Sequence, residues 1–83
     1  MKLVYFAWVR ERIGRTEETI EPPADVETVS DLLRWLRTRG EAYEYALEHP
    51  SAIRVALDHT HADHDTPLRG SQEVALFPPM TGG

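Results

Sequence analysis

A chain of 83 residues allows one domain and no more. Its 41% hydrophobic and 28% charged residues argue against disorder, and a net charge of -5 with no basic run argues against nucleic-acid binding, which needs clustered Lys and Arg to neutralise phosphates. There is no cysteine, so disulfides, a thiolate nucleophile and cysteine-based zinc sites are excluded.

Lys2 to Trp8 reads as a strand rich in β-branched and aromatic residues. Leu3, Tyr5 and Ala7 alternate with Val4, Phe6 and Trp8, which predicts a central strand covered on one face and sticky on the other. Val9 to Ile13 fits a helical turn closed by Gly14 in a left-handed conformation. Thr16 to Glu21 is a more polar strand suited to an edge, ended by Pro22-Pro23, which cannot donate to a ladder. Thr28 is a helix cap with Asp31 three residues on, and Val29, Leu32, Leu33 and Leu36 recur at helical spacing with Arg34, Arg37 and Arg39 outward. Gly40 is expected to stop this helix. Glu41 to Glu48 suggests a short helix using Ala42, Tyr45 and Ala46, closed by Pro50. Ile53 to Leu57 is a third strand, Asp58 to Thr66 a polar stretch with room for one very short strand, and Pro67 to Gly70 a turn. Glu73 to Phe77 is the last strand. One amphipathic helix packed across a mixed sheet satisfies the two-layer rule for a small α+β domain. The first strand, read as the longest and most apolar, is expected in the middle of the sheet. With the last strand beside it, Phe6 and Phe77 would lie close together.

The chain then closes on Phe77-Pro78-Pro79-Met80-Thr81-Gly82-Gly83. Nothing in it is charged except a terminal carboxylate. The prolines bias the segment toward an extended form, Met80 suits an irregular apolar groove, and the glycines let walls close tightly around the chain. Beyond Phe77 the tail can reach roughly 20 Å at about 3.3 Å per residue. Such a segment can enter a narrow channel end first and present an unhindered acyl group on Gly83. The layout divides the chain into a domain over 1–77 and a flexible tail over 78–83.

Other constellations are weaker. Asp58-His59-Thr60-His61-Ala62-Asp63-His64-Asp65 has metal-ligand chemistry, and in a strand His59, His61 and Asp63 would share a face. Acidic histidine-bearing turns are more often solvated loops, so no metal site is expected. Ser30, Ser51 and Ser71 have no motif around them, and no phosphate-cradling glycine loop is present. No autonomous active site is expected. No apolar run reaches membrane-spanning length and Met1 to Phe6 lacks a signal-peptide layout, which together with the absence of cysteine points to a cytoplasmic location.

Leu3-Val4-Tyr5-Phe6-Ala7 with Val9-Arg10-Glu11, Thr28-Val29 with Leu32-Leu33, and above all Glu73-Val74-Ala75-Leu76-Phe77-Pro78-Pro79-Met80-Thr81-Gly82-Gly83 give the chain a resemblance to the ubiquitin-like β-grasp sulfur carriers, and among them to the small subunits of molybdopterin synthases. The resemblance covers nearly the whole chain and implies a β-grasp fold. It implies that Gly83 is adenylated by a ubiquitin-activating-type adenylyltransferase using ATP. The terminus then takes sulfur from a sulfur donor protein as a thiocarboxylate, and passes it to a pterin precursor in molybdenum cofactor biosynthesis. Gly82 would give access to that acyl group. Pro78, Pro79, Met80 and Thr81 would thread into the large catalytic subunit, which supplies the catalytic groups. Phe6 and Phe77 would anchor the docking. No cofactor is expected to be bound, and neither nucleic acid nor membrane is an expected partner. The alternatives are a related carrier for thiazole, tRNA thiolation or cysteine synthesis, a ubiquitin-like protein modifier joined to lysines, or a binding module whose terminus is inert. Of the 9 basic residues only Lys2 is a lysine. Codon bias is one reason; another is that a protein with an activated acyl group gains from few nucleophilic amines, since arginine stays protonated.

Overall fold

Strand β1 (Lys2–Tyr5) buries Leu3 and Tyr5 and leaves Val4 half-exposed, so its alternating pattern is that of a sheet with one covered face. The structure, a computed structural model, describes residues 1–79. After β1 come helix α1 (Ala7–Ile13), strand β2 (Glu17–Thr19), helices α2 (Val29–Arg37) and α3 (Glu41–Ala46), a 3₁₀ turn over Pro50–Ala52, and strands β3 (Arg54–Leu57), β4 (Thr60–Ala62) and β5 (Glu73–Phe77). The sheet order is β2-β1-β5-β3-β4; β1 and β5 run parallel and the other pairs antiparallel. This is the α+β ubiquitin-like β-grasp arrangement.

The first strand is shorter than its composition suggests. Phe6 is still extended, at φ -127 and ψ 154, and its N–H donates to the Leu76 carbonyl at 3.1 Å. Ala7 then turns at φ 52, and the Phe6 carbonyl accepts from Val9 and Arg10. Burial of Val9 and Ile13, four apart on one helical face, outweighs the strand propensity of Trp8 and Val9. Gly14 closes α1 at φ 84, as expected. The middle of the sheet is occupied by β5, not β1; at 5 residues β5 is also the longest strand. Val74 and Leu76 bury fully, and β5 is paired on both sides, with β1 and with β3.

Helix α2 supplies the second layer through Val29, Leu32, Leu33 and Leu36, packed with Leu3, Tyr5, Val55, Val74 and Leu76. Its start is a reciprocal capping box. Thr28 Oγ1 accepts from the Asp31 N–H at 3.1 Å, and Asp31 Oδ2 accepts from the N–H groups of Glu27 and Thr28. Those backbone donors, Glu27 first, hold the Asp31 carboxyl below its ordinary value. The helix stops at Arg37, before Gly40, because the Thr38 hydroxyl donates to the Trp35 carbonyl at 2.6 Å. Gly40, at φ 152, instead leads into α3. In α3 the buried aromatic is Tyr43 rather than Tyr45, which is 53% exposed, and Ala42 is exposed too.

β3 and β4 form a two-residue hairpin in which Asp58 and His59 sit at φ 47 and 72. Positive φ at both positions is the primed-turn pattern that matches strand twist. Asp58 compensates by accepting the N–H groups of Gln72 and Glu73 at 2.9 Å each. His59 has only an exposed contact with Glu73 at 3.5 Å. His59→Gly is therefore expected to raise stability by about 0.5–1 kcal/mol, read as a higher melting temperature, because the left-handed penalty vanishes and little contact is lost.

Candidate functional site

The site is the end of the sheet where the chain emerges from β5. The parallel ladder pairs Lys2 with Glu73 and Tyr5 with Leu76, so β1 and β5 finish at the same end. Phe6 and Phe77 follow the last rung together, linked through the Phe6 to Leu76 backbone bond. Phe6 is 46% exposed, one of the two large hydrophobic side chains so placed among the described residues, and is not core. Phe77, Pro78 and Pro79 are half-buried. Met80, Thr81, Gly82 and Gly83 lie outside the described residues.

An apolar strip continues from these phenylalanines across the outer face of the sheet. Val4, Ala75 and Ala56 stand in register over β1, β5 and β3, all half-exposed, and Phe77 stands opposite Arg54. The sticky second face expected of the first strand is thus present, but it is shared by several strands. Ala56 and Ala75 carried no signal in the sequence, because only the register places them beside Val4. Beside α1, the Arg12 guanidinium stacks 4.5 Å from the Trp8 ring and 4.3 Å from the Tyr45 ring, with Glu48 at 3.8 Å. Spacing within α1 brings Trp8 and Arg12 onto one face; the partnership with Tyr45 depends on α3 packing against α1.

Beneath this end lies a polar cluster that holds the elements together. Glu18 of β2 is 7% exposed at its side chain. Its Oε2 accepts from the hydroxyls of Tyr5 at 2.7 Å and Tyr43 at 2.6 Å, and its Oε1 accepts from Arg39 at 3.0 Å. Burial alone would push the Glu18 carboxyl up, but the Tyr43, Tyr5 and Arg39 donors outweigh it and hold the group below its ordinary value. Burial first, and then the bond to a carboxylate, drive the Tyr5 hydroxyl far above the usual tyrosine range and raise that of Tyr43. The polar strand expected over Thr16 to Glu21, with its Glu17-Glu18 pair, suits a solvated edge. That holds for Glu17, which is exposed and pairs with Lys2, and fails for Glu18 because strand alternation turns it inward.

The histidine-bearing segment does not gather as a strand face would require. Of His59, His61 and Asp63 only His61 is in β4; His59 is in the turn, and the ring of His64 reaches the Ile53 carbonyl at 2.7 Å. Among the described residues no group of three or more His, Cys, Asp or Glu converges as metal ligands would. A hollow of about 500 Å³, lined by Met1, Pro22, Pro23, Val26, Pro67 and Leu68 among others, opens at the opposite end of β1. No helix among the described residues is long and apolar enough to cross a membrane.

A family model described as the ThiS family matches residues 3–83. The chain is 39% identical to the molybdopterin synthase sulfur carrier subunit of Escherichia coli, covering 100% of this chain and 99% of that one. It is 32% identical to the subunit of the same name from Dictyostelium discoideum, over 99% and 94% of the two chains. Among solved structures it is similar to a Pyrococcus furiosus protein described as a molybdopterin converting factor, subunit 1, with a TM-score of 0.75, 26% identity and 95% of each chain covered. It is also similar to small archaeal modifier protein 1 of Haloferax volcanii, with a TM-score of 0.72, 26% identity, and 96% and 97% of the two chains covered.

Proposed function

The chain belongs to the ThiS family, and from that membership we propose that it is a sulfur carrier in molybdopterin synthesis, working as the small subunit of a molybdopterin synthase. The observation that carries this reading is the full-length likeness to sulfur carrier subunits, which runs through the last residue, Gly83.

In this reading Gly83 is first adenylated, because a carboxylate is too poor an electrophile to accept sulfur directly. The carboxylate oxygen attacks the α-phosphate of ATP, and pyrophosphate leaves. Hydrosulfide released by a donor protein then attacks the acyl carbon, the bond to AMP breaks with its electron pair, the sulfur sheds its proton, and a thiocarboxylate remains. Its sulfur adds to the pterin precursor in the partner's pocket. Gly82 and Gly83 lack Cβ atoms and so leave the acyl carbon open to attack on both faces. Pro78 and Pro79 reduce the entropy lost when the tail enters the partner. The folded body contributes docking: Phe6, Phe77 and the Val4, Ala75 and Ala56 strip offer an apolar patch, with Arg54 at its margin opposite Phe77.

Intact-mass measurement of the chain from native cells tests the reading. A species in which one oxygen is replaced by sulfur, localised to Gly83, supports it; its absence from cells that are making the cofactor overturns it. Phe6→Ala is expected to weaken binding to the large subunit at least tenfold, on the order of 1.4 kcal/mol or more. The melting temperature should stay within about 2 °C, since the ring is half in solvent. Titration calorimetry on the purified pair reads the first, and thermal melts the second.

The likeness to a protein named as a modifier supports a second reading, conjugation of Gly83 to lysines of other proteins. Diglycine remnants on cellular proteins, mapped by peptide mass spectrometry, would establish it.

A further inference from the structure

The outer face of the sheet is apolar at its centre and charged at its margins. The register sets Val4, Ala75 and Ala56 in one row, with Glu17 and His61 at its two ends. Val55, Val74 and Leu76 point into the core, so strand alternation turns Arg54 outward together with Ala56 and Phe77. Among the described residues the strands carry two permanent cations, Lys2 and Arg54. Lys2 is compensated by Glu17 at 3.1 Å. Arg54 is exposed and has no carboxylate within ion-pair distance among the described residues. Asp63, which an extension of the β3–β4 register would carry opposite Arg54, is exposed as well and forms no ion pair with it.

We propose that Arg54 fixes the register of docking: the large subunit presents a carboxylate to it, at the margin of an otherwise apolar interface. The proposal rests on the reading of this face as the surface that meets that subunit. Val4, Ala75 and Ala56 have short side chains, so the centre of the patch is nearly flat, and apolar contact is non-directional. Such a patch supplies attraction but resists sliding and rotation poorly. Register matters because β5 ends at Phe77, and the partner's channel must begin where Pro78 leaves. An ion pair cross-strand from Phe77 pins the partner at that point. The guanidinium is planar, with donors in a fork that matches a carboxylate, so the pair sets direction as well as distance. A docked arrangement with no carboxylate there strips water from a cation and gives nothing back, which penalises the wrong registers.

The chain's overall charge pulls the other way. At a net charge of -5 the molecule as a whole favours a basic partner surface, and each further negative charge strengthens that long-range attraction. A carboxylate facing Arg54 demands the reverse at this one position. Converting Arg54 to an acid therefore tightens binding if only the overall field acts, and weakens it if Arg54 meets a carboxylate.

The test titrates the full chain against the purified large subunit, with a thermal melt of every variant. Arg54→Gln is expected to weaken binding about fivefold and Arg54→Glu at least roughly thirtyfold. Arg54→Lys keeps the charge and loses the fork, so its affinity should fall between those of the unaltered chain and Arg54→Gln. Melting temperatures should stay within about 2 °C, because the side chain is exposed and unpaired. On the partner, exposed Asp and Glu residues are changed to Arg one at a time. One of these changes should weaken binding of the unaltered chain and bring Arg54→Glu back to within about threefold of the original affinity. The proposal is overturned if Arg54→Glu binds as tightly as the unaltered chain or more so, or if no change on the partner restores it. It is overturned equally if Asp63→Asn weakens binding as much as Arg54→Gln, since Arg54 would then be acting on its own chain. Failure of the docking reading shows separately, as undiminished binding of Phe6→Ala to the large subunit.

Discussion

Deleting Gly82 and Gly83 is expected to abolish rescue of cofactor synthesis in a cell that lacks the carrier, while the melting temperature of the purified chain stays within about 1 °C of the unaltered value. The core is built from Leu3, Tyr5, the apolar face of α2, Val55, Val74 and Leu76, all of it within residues 1–77. A chain end beyond the last ladder bond contributes little to stability. Loss of function without loss of fold therefore separates a working terminus from an inert one. A short C-terminal extension should behave the same way, because it buries the acyl group in a peptide bond that cannot be adenylated. Growth on a cofactor-dependent substrate and a calorimetric melt together read the result. Rescue by the shortened chain would remove the basis of the proposed function.

Glu18→Ala is expected to cost about 3–5 kcal/mol, because it leaves the hydroxyls of Tyr5 and Tyr43 and the guanidinium of Arg39 without their shared acceptor in a largely buried place. For a domain of this size that lowers the melting temperature by roughly 15–30 °C. Glu18→Gln keeps the shape and one acceptor oxygen and should cost about half as much. The same cluster sets the response to acid. The Glu18 carboxyl is held below its ordinary value of 4.5 in the folded protein, so its contribution is complete above that value and is lost as pH falls through the folded one. Stability measured by denaturant titration should fall below about pH 4.5 in the unaltered chain, and this part of the fall should be missing in Glu18→Gln. The tyrosines act in the opposite sense. Their raised values favour the folded state below the ordinary 10.0 and cease to do so as pH climbs through the folded values. An unchanged acid limb in Glu18→Gln would show that the cluster does not carry the charge assigned to it.

Local chemistry was enough wherever one element decides its own shape. The Thr28 and Asp31 capping box, the Val29, Leu32, Leu33 and Leu36 stripe, the Gly14 stop and the full extent of β5 were all legible, because capping, helical periodicity and strand alternation act over a few neighbouring residues. The sequence was misleading where two local preferences competed. Phe6 to Val9 is as apolar as a strand, yet the chain turns at Ala7, because Val9 and Ile13 bury better on a helix than on a longer strand. Tyr45 looked like the core residue of α3, but Tyr43 is buried, since Glu18 on a distant strand offers its hydroxyl an acceptor. Nothing within α3 announces that partner.

The chain's own residues settle the apolar tail, the glycines at its end, the scarcity of amines and the class of the fold, because composition and short-range pattern are properties of neighbouring residues. Only tertiary structure brings Phe6 beside Phe77, aligns Val4, Ala75 and Ala56, turns Glu18 toward two tyrosines and sets Lys2 at the end of the sheet away from the tail. Each of these depends on the parallel pairing of β1 with β5 or on helices packed across the sheet. Those contacts join residues tens of positions apart, and the burial that selects them is a sum over the whole core rather than a preference of any one segment.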